Sequence, residues 1–412
     1  MTLQEFISEH RNDDVRQLAL QSARFPGIDM RHALEQIAGW QKACRKLPTL
    51  AATDGIIYPP HLSMEQCSGE HAATYKAEVA RRLLLQTPGG DVSADGDEKK
   101  GALMVDLTGG FGIDFMFMAR RFARAVYVER DSRLCDVARH NFGVIGLDSA
   151  ETVCSDGSEY LHALPPADLI YIDPARRDAA GGRTYAISDC TPDVLGMLQE
   201  MLERAAWVMI KLSPMLDWHD AVASMNAVAP RSVRDVHIVS TRGECKEMLF
   251  VLAKDCCDAP VIHCADGTEE LVCTAAECAE PEQMIGIPYS GLAGKYVYEP
   301  GASVMKAGCF GLLCRRYGVK AVGRNSRLFV SDDEKKDFPG RRFRINAVSS
   351  MNKKELKGML GDIRKANIAV RNFPLTVAGL RRKLKLGEGG DVYIFATTAA
   401  DGTRMLAVCT KA

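Results

Sequence analysis

The feature that most constrains the fold is a glycine-rich turn placed directly after an apolar run. It reads Val105-Asp106-Leu107-Thr108-Gly109-Gly110-Phe111-Gly112. The apolar residues from Ala102 to Val105 predict a strand that ends at the carboxylate of Asp106 and enters a tight turn before a helix. Glycines allow positive φ in such a turn and let the backbone approach a ligand where a Cβ would collide. The pattern therefore predicts a loop that holds a nucleotide cofactor.

The spacing of these glycines bears on which cofactor the loop would hold. A dinucleotide fingerprint is G-x-G-x-x-G/A, and counted from Gly110 and Gly112 its third small position falls on Phe115. This spacing weakens an interpretation as an NAD site. A second predicted strand, Ala125 to Val128, ends at Glu129, whose carboxylate can accept hydrogen bonds from both hydroxyls of a ribose. Glu129 by itself fits NAD or S-adenosylmethionine.

Two more strand ends complete an ordered set of motifs. Ser155-Asp156-Gly157 follows a third predicted strand, and the run from Asp168 to Ile172 delivers Asp173-Pro174-Ala175-Arg176 at its carboxyl end. Between Ala102 and Lys254 this ordered set resembles a class I S-adenosylmethionine-dependent methyltransferase. The resemblance implies an α/β fold with a Rossmann-like sheet, mostly parallel with a C-terminal antiparallel hairpin. It also implies S-adenosylmethionine as the cofactor.

The resemblance assigns roles to the residues of these motifs. In that family the first acid and the glycines hold the methionine end of the cofactor, the second acid the ribose and the third the adenine amino group. The implied cofactor-binding residues are Asp106, Thr108, Gly109, Gly110, Gly112, Glu129 and Asp156. Asp156 lies in a common turn composition, so a purely structural use is an equal alternative. Asp114, in the first turn of a helix, is better explained by the helix dipole.

A second polar patch precedes the first strand of the sheet. It contains Ser68, Thr74, Tyr75 and Lys76, which could close over the cofactor. Tyr75 and Lys76 are therefore included among the predicted cofactor-binding residues. The alternative is a capped helix with a solvated lysine.

The loop after the fourth strand is the predicted catalytic loop. In amino-directed members of the family it reads Asp/Asn-Pro-Pro-aromatic, and the acid and a proline carbonyl accept hydrogen bonds from an exocyclic amine. Asp173 and Pro174 match, whereas Ala175 and Arg176 do not. A guanidinium plane can stack on a base, so the predicted catalytic residues are Asp173, Pro174 and Arg176. The next strand ends in Lys211-Leu212-Ser213-Pro214, which could line the target pocket but contains no cysteine; this favours direct transfer to a nitrogen over a covalent pyrimidine mechanism.

The charges of the chain are unevenly distributed, although the net charge is only -1. From Arg341 to Ala412 there are fifteen Lys or Arg residues against five acids, an excess of the kind that phosphate-backbone binding requires. The stretch from Arg371 to Leu386, followed by Gly389-Gly390-Asp391, resembles the THUMP-like domain of a bacterial methyltransferase family. The resemblance implies RNA, either tRNA or rRNA, as the partner of this basic segment. A solvated charged helix face is the alternative.

The organisation along the chain predicts four regions. They are a helical N-terminal region with a linker (1–100), a methyltransferase domain (101–255), a small α+β domain (256–340) and a basic THUMP-like domain (341–412). The N-terminal helices are predicted over Leu3 to Gln21, Arg31 to Lys46 and Glu70 to Gln86. The polar, glycine-rich stretch from Gly89 to Lys100 predicts the linker.

Cysteine usage and hydropathy limit the cellular setting. Fourteen cysteines without framework spacing predict reduced thiols rather than disulfides. Their one cluster lacks C-x-x-C spacing, so we expect no metal there: Cys256, Cys257, His263, Cys264, Cys273 and Cys278. No apolar run approaches the roughly 18 residues that span a bilayer, and Met1 to Leu20 lacks a signal-peptide apolar region. We expect a cytoplasmic protein without a membrane partner.

Two other functions remain open on the sequence. An NAD-dependent oxidoreductase is compatible with the glycine loop taken alone. An RNA-binding protein with a catalytically silent methyltransferase core is compatible with Ala175-Arg176. The preferred prediction is an S-adenosylmethionine-dependent methyltransferase that modifies a base nitrogen in RNA.

Overall fold

The computed structural model describes residues 1–87, 99–176 and 186–412. The chain divides into two compact units. The first contains Met1–Val236 and Lys246–Asp258, and the second contains His237–Cys245 and Ala259–Ala412.

The first unit begins with a helical region, as predicted. Its α-helices are α1 (Leu3–His10), α2 (Val15–Leu20), α3 (Met30–Lys46), α4 (Pro48–Ala51), α5 (His61–Gln66) and α6 (Glu70–Gln86). The single helix predicted from Leu3 to Gln21 is divided in two because Asp14 caps a new start: its Oδ1 accepts a hydrogen bond from the Gln17 backbone N–H at 2.9 Å. Phe6, Ile37 and their apolar neighbours pack α1, α2 and α3 into one core.

The rest of the first unit alternates strands and helices. Its strands are β1 (Lys99–Asp106), β2 (Phe122–Glu129), β3 (Ala150–Cys154), β4 (Ala167–Ile172), β5 (Ala175–Arg176), β6 (Cys190–Thr191), β7 (Ala205–Leu212), β8 (Val233–Thr241), which runs on into the second unit, and β9 (Glu244–Leu252). Its helices are α7 (Ile113–Met118), α8 (Ser132–Val144), α9 (Gly157–Ala163), α10 (Val194–Arg204) and α11 (Trp218–Val228).

The central sheet has the order β9-β7-β4-β1-β2-β3. From β7 to β3 every pair of neighbouring strands is parallel, and β9 is antiparallel to β7. Arg242 and Gly243, both with positive φ, form the turn between β8 and β9. The predicted Rossmann-like α/β class is therefore confirmed. Because parallel strands end at the same edge of a sheet, this topology collects the carboxyl ends of β1, β2 and β4.

The second unit begins with a hairpin and continues into a seven-stranded sheet. Its strands are β10 (Val261–Asp266), β11 (Glu269–Thr274), β12 (Tyr296–Pro300), β13 (Lys320–Ala321), β14 (Phe329–Ser331), β15 (Gly340–Ser350), β16 (Asn367–Val370), β17 (Tyr393–Thr398) and β18 (Arg404–Lys411). Its helices are α12 (Ala275–Cys278), α13 (Ala302–Ala307), α14 (Phe310–Tyr317), α15 (Lys353–Leu360) and α16 (Val377–Leu384).

The seven-stranded sheet has the order β13-β14-β12-β15-β18-β17-β16. β12 pairs with β15, so one sheet extends across the domain boundary expected near residue 340. Leu356 of α15 and Leu380 of α16 pack on this sheet beside Ile394 and Leu406. The expected domain boundaries themselves stay a prediction. None of the helices in the described ranges combines the length and apolarity that crossing a bilayer requires.

Candidate functional site

The glycine loop leaves β1 at Asp106 and leads into α7. Gly110 and Gly112 have φ of 56° and 81°, in the left-handed region that favours glycine. A Cβ on Gly109 would lie 2.2 Å from a ring carbon of Tyr127, whereas a Cβ on Gly110 would meet only the Thr108 carbonyl oxygen, at 3.7 Å. Gly109 therefore permits close packing against β2, and the side of Gly110 that a Cβ would occupy is open.

Glu129 at the end of β2 is tied directly to this loop. Its Oε2 accepts a hydrogen bond from the Gly110 N–H at 2.9 Å, and its Oε1 accepts one from the Asp131 N–H at 2.9 Å. The side chain is half-buried. The structure thus brings together the first two acids of the motif set, and one carboxylate oxygen holds the backbone of the loop.

Asp156 caps α9 beside the same loop. Its Oδ1 accepts a hydrogen bond from the Ser158 backbone N–H at 2.9 Å, so the structural use considered above is present. Hydrogen bonds from Ser158 hold the pKa of Asp156 below its usual range. A Cβ on the following Gly157 would lie 2.1 Å from the Leu107 carbonyl oxygen, which places this anionic turn against the glycine loop. Adenine contact by Asp156 stays a prediction.

Asp106 is buried, with 2% of its surface exposed. Its Oδ1 accepts a hydrogen bond from the Thr108 backbone N–H at 2.9 Å. Burial is the main cause that raises the pKa of Asp106 to about 8, and the nearby carboxylates of Asp114 and Asp173 raise it further. This raised pKa favours the protonated form of the Asp106 carboxyl group.

Asp173 follows β4 and connects to the glycine loop through its backbone. Its N–H donates a hydrogen bond to the Thr108 Oγ1 at 2.6 Å. About a third of its side chain is exposed (34%), while one carboxylate oxygen accepts a hydrogen bond from the Lys211 Nζ at 2.5 Å. Pro174 is buried. The backbone of Arg176 pairs with Cys190 in the β5–β6 ladder, and its side chain lies outside the described residues.

A network of buried charges lies next to this loop. Lys76 has no exposed surface, and its Nζ lies 2.6 and 2.7 Å from the two carboxylate oxygens of Glu247 and 3.0 Å from the Asp114 Oδ1. It also donates to the Ser68 Oγ at 2.8 Å. Asp114 in turn accepts a hydrogen bond from the Tyr171 hydroxyl at 2.8 Å. Lys76 is therefore buried and ion-paired, and the alternative interpretation of a capped helix with a solvated lysine is wrong for this residue.

The network contains two acidic side chains whose ion pairs were not predicted from the sequence. Asp114 is a buried ion-pair partner rather than only a helix-dipole residue, and Glu247 is a buried carboxylate of β9 directly before the apolar run from Met248 to Leu252. One sequence signal was present: Lys76 stands among alanines on the buried face of α6. The predicted contacts of Tyr75 and Lys76 with the cofactor remain predictions.

Charge balance explains the ionisation of the network. Burial would raise the pKa of Asp114, but the ammonium groups of Lys76 and Lys211 hold it below its usual range. Burial would likewise lower the pKa of Lys211, but the carboxylates of Asp173, Asp114 and Glu247 raise it above its usual range. Lys211 therefore acts as a fixed cation, and it joins the network to the predicted catalytic loop.

The geometry offers a defined set of chemical functions at one sheet edge. It provides an open glycine turn, half-buried carboxylate oxygens at Glu129 and Asp156, and a partly exposed carboxylate at Asp173. Such groups suit a ligand that carries a ribose and amino groups, with a second molecule presented at Asp173.

Family models and related proteins agree with this architecture. A model described as THUMP domain-like matches residues 340–411, and one described as a ferredoxin-like domain matches residues 296–339. A solved structure of a "putative methyltransferase" from Porphyromonas gingivalis W83 is 30% identical, with a TM-score of 0.81 over 100% of this chain and 97% of that one. Uncharacterized S-adenosylmethionine-dependent methyltransferases from two strains of Mycobacterium tuberculosis are 24% identical over 308 residues, which is 74% of this chain and 79% of each relative.

Proposed function

Since the chain belongs to the class I S-adenosylmethionine-dependent methyltransferases with a C-terminal THUMP-like domain, we propose that it methylates a base nitrogen in tRNA or rRNA. S-adenosylmethionine is its cofactor. The observation that carries the proposal is the position of Asp173. Its backbone is bound to Thr108 in the glycine loop, and its carboxylate remains partly exposed at the end of β4.

The residues of the glycine loop fit the cofactor. The left-handed Gly110 leaves space that a Cβ would fill, and its N–H is already oriented by Glu129. We assign the methionine end to Asp106, Thr108 and the glycines, the ribose to Glu129 and the adenine amino group to Asp156. The remaining lone pairs of the Glu129 carboxylate can accept hydrogen bonds from ribose hydroxyls.

The catalytic role that we propose for Asp173 is to position the target amine. S-adenosylmethionine supplies an electrophilic sulfonium methyl group when it is bound. The Asp173 carboxylate and the Pro174 carbonyl accept hydrogen bonds from the exocyclic amine and direct its lone pair toward that methyl group. Lys211 holds the carboxylate in place through its ion pair. Orientation of this kind can supply most of the acceleration, so no proton relay is required for the transfer step.

RNA capture is proposed for the basic THUMP-like segment. An open groove of about 740 Å³ lies along α16. It is lined by apolar residues, by the cations of Arg381, Arg382 and Lys385, and by one carboxylate, that of Glu388. Lys365 lies beside it, since its backbone bridges to Gly387 just after the groove residue Leu386. Arg382, Lys385 and Lys365 are exposed, so their charges are available to phosphates.

The proposal is tested by nucleoside mass spectrometry. tRNA and rRNA from cells with and without this gene are digested and compared, and we expect one methylated nucleoside to disappear with the gene. In parallel, the purified chain is incubated with labelled S-adenosylmethionine and the RNA from the deficient cells. Transfer of label to that RNA supports the proposal. RNA binding without transfer would instead favour a catalytically silent core.

A further inference from the structure

Four buried cysteines of the second unit lie close together: Cys264, Cys273, Cys278 and Cys309. The Sγ atoms of the last three all lie within 4.8 Å of one another, and those of Cys273 and Cys278 are 3.3 Å apart. The Cys264 thiol interacts with that of Cys309, and its Sγ lies farther than 4.8 Å from at least one of the other three. We propose that these cysteines form a structural zinc site, with Cys273, Cys278 and Cys309 as ligands and Cys264 as the fourth.

The β10–β11 hairpin places two of the thiols on one face. Ile262 is opposite Cys273 and Cys264 is opposite Leu271 in the antiparallel register. Residues two apart on a strand share a face, so Cys264 and Cys273 are diagonal neighbours on the same side of the hairpin. Both are almost fully buried.

A single helical turn brings the thiol of Cys278 back toward that of Cys273. Thr274, directly after Cys273, caps α12 and forms a capping box with Glu277. This box defines the start of α12, and Cys278 is the last residue of that helix. The helical turn therefore places the Sγ atoms of Cys273 and Cys278 close together, 3.3 Å apart.

The fourth segment is held against α12 by close packing and by charge. A Cβ on Gly311 would lie 2.2 Å from the Glu280 carbonyl oxygen, so glycine permits α14 to approach the residues that follow α12. Arg315 of α14 binds Glu277 at 2.7 Å and Glu280 at 2.8 Å. Cys309 is the N-cap residue of α14 and is fully buried, so this docking carries its thiol to the cluster.

The chemistry of the donor set favours zinc. Zn²⁺ takes four thiolates in a tetrahedron at about 2.3 Å, which separates neighbouring sulfur atoms by roughly 3.8 Å. The Sγ separations among Cys273, Cys278 and Cys309, from 3.3 Å to a limit of 4.8 Å, bracket that value. A disulfide would use two of these sulfur atoms, whereas thiols from four segments converge here. These cysteines form no C-x-x-C pattern, because the ligands come from a hairpin, a helical turn and a distant helix cap.

The test is metal analysis of the full chain. After dialysis in zinc-containing buffer and gel filtration, mass spectrometry of the metal should find about one zinc ion per chain. The double variant Cys273→Ser/Cys278→Ser should retain less than a tenth of that amount. The matched control is Cys256→Ser/Cys257→Ser, which removes another adjacent thiol pair, 3.7 Å apart, and should keep the full zinc content.

A second measurement covers the case in which the cluster variant does not fold. Cobalt is exchanged into the wild-type chain, where thiolate ligation gives intense charge-transfer absorption and tetrahedral d–d bands; both should appear. A wild-type chain that binds neither zinc nor cobalt would overturn the proposal. So would full zinc content in the cluster variant, iron in place of zinc, or a Cys273–Cys278 disulfide in a peptide map of the protein purified without reductant.

Discussion

The ammonium group of Lys211 donates a hydrogen bond to the carboxylate of Asp173, with Nζ and Oδ2 2.5 Å apart. Lys211 is the penultimate residue of β7 and Asp173 follows β4, and these strands are parallel neighbours. The same Nζ lies 4.0 Å from the Asp114 Oδ2, inside the buried network. The loop proposed to hold the target amine is therefore anchored to charges that water does not reach.

The first prediction concerns Asp173. We expect Asp173→Ala to lower the turnover of methyl transfer by roughly 100-fold or more, because positioning of the amine is lost. Cofactor affinity should change little, since the loop glycines and Glu129 are intact. Labelled transfer and calorimetry measure the two quantities. The control is Asp136→Ala, which removes an exposed carboxylate that pairs with its helix neighbour Arg139. Wild-type turnover in Asp173→Ala would refute the amine clamp.

The second prediction concerns the glycine loop. Gly110→Val should abolish S-adenosylmethionine binding, because the side chain fills the open side of the turn and φ of 56° strains a β-branched residue. Calorimetry provides the measurement. Gly402→Val carries comparable backbone strain, at φ of 84° in an open hairpin turn, and should bind the cofactor normally. Tight binding by Gly110→Val would contradict the assignment of this loop.

The third prediction concerns the basic groove. The double charge reversal Arg382→Glu/Lys385→Glu should weaken RNA binding and reduce the slope of log affinity against log salt by up to about 1.4, since each phosphate contact on a single strand contributes about 0.7. Cofactor binding should be unaffected. Filter binding at several salt concentrations provides the measurement. The control is Arg16→Glu/Arg31→Glu, which reverses two exposed charges on N-terminal helices. If this control lost RNA affinity and Arg382→Glu/Lys385→Glu did not, RNA recognition would lie on those N-terminal helices.

The fourth prediction concerns the buried network. Lys76→Met should lower the free energy of unfolding by about 3–5 kcal/mol, because it leaves Glu247 buried without its ion-pair partner and leaves Asp114 with the more distant ammonium of Lys211, 4.0 Å away. Glu78→Ala, on the same helix, breaks partly exposed pairs with Arg81 and Arg82 and should cost at most about 1 kcal/mol. Urea unfolding compares the two. Equal losses would show that the buried charges do not stabilise this unit.

The fifth prediction concerns pH. Because the folded pKa of Asp106 is raised to about 8, the folded chain holds this proton more tightly than the unfolded chain. That contribution to stability is complete below about pH 4 and is lost as the pH rises toward 8, with a slope of at most about 1.4 kcal/mol per pH unit. Asp106→Asn has no such proton, so the stability of the wild type relative to this variant should fall between pH 5 and pH 8. Parallel urea-unfolding profiles would contradict the prediction.

The elements that could be predicted from the chain are those whose cause is local. Positive φ at Gly110 and Gly112 follows from residue type, and the apolar runs before Asp106, Glu129 and Asp173 become β1, β2 and β4. Parallel strands end at a common edge, so the order of the motifs was sufficient to expect these acids together. The capping preferences of Thr2, Asp14 and Asn352 are equally local.

The long-range partners depended on tertiary structure. Lys76 and Glu247 are 171 residues apart, and only burial of α6 and β9 in one core makes each the counter-charge of the other. The convergence of Cys264, Cys273, Cys278 and Cys309 likewise requires the hairpin register and the docking of α14. Local patterns determine which residues end strands and begin helices. Which buried charges and thiols meet is decided by packing, because desolvation forces each polar group to find a partner wherever the fold brings one.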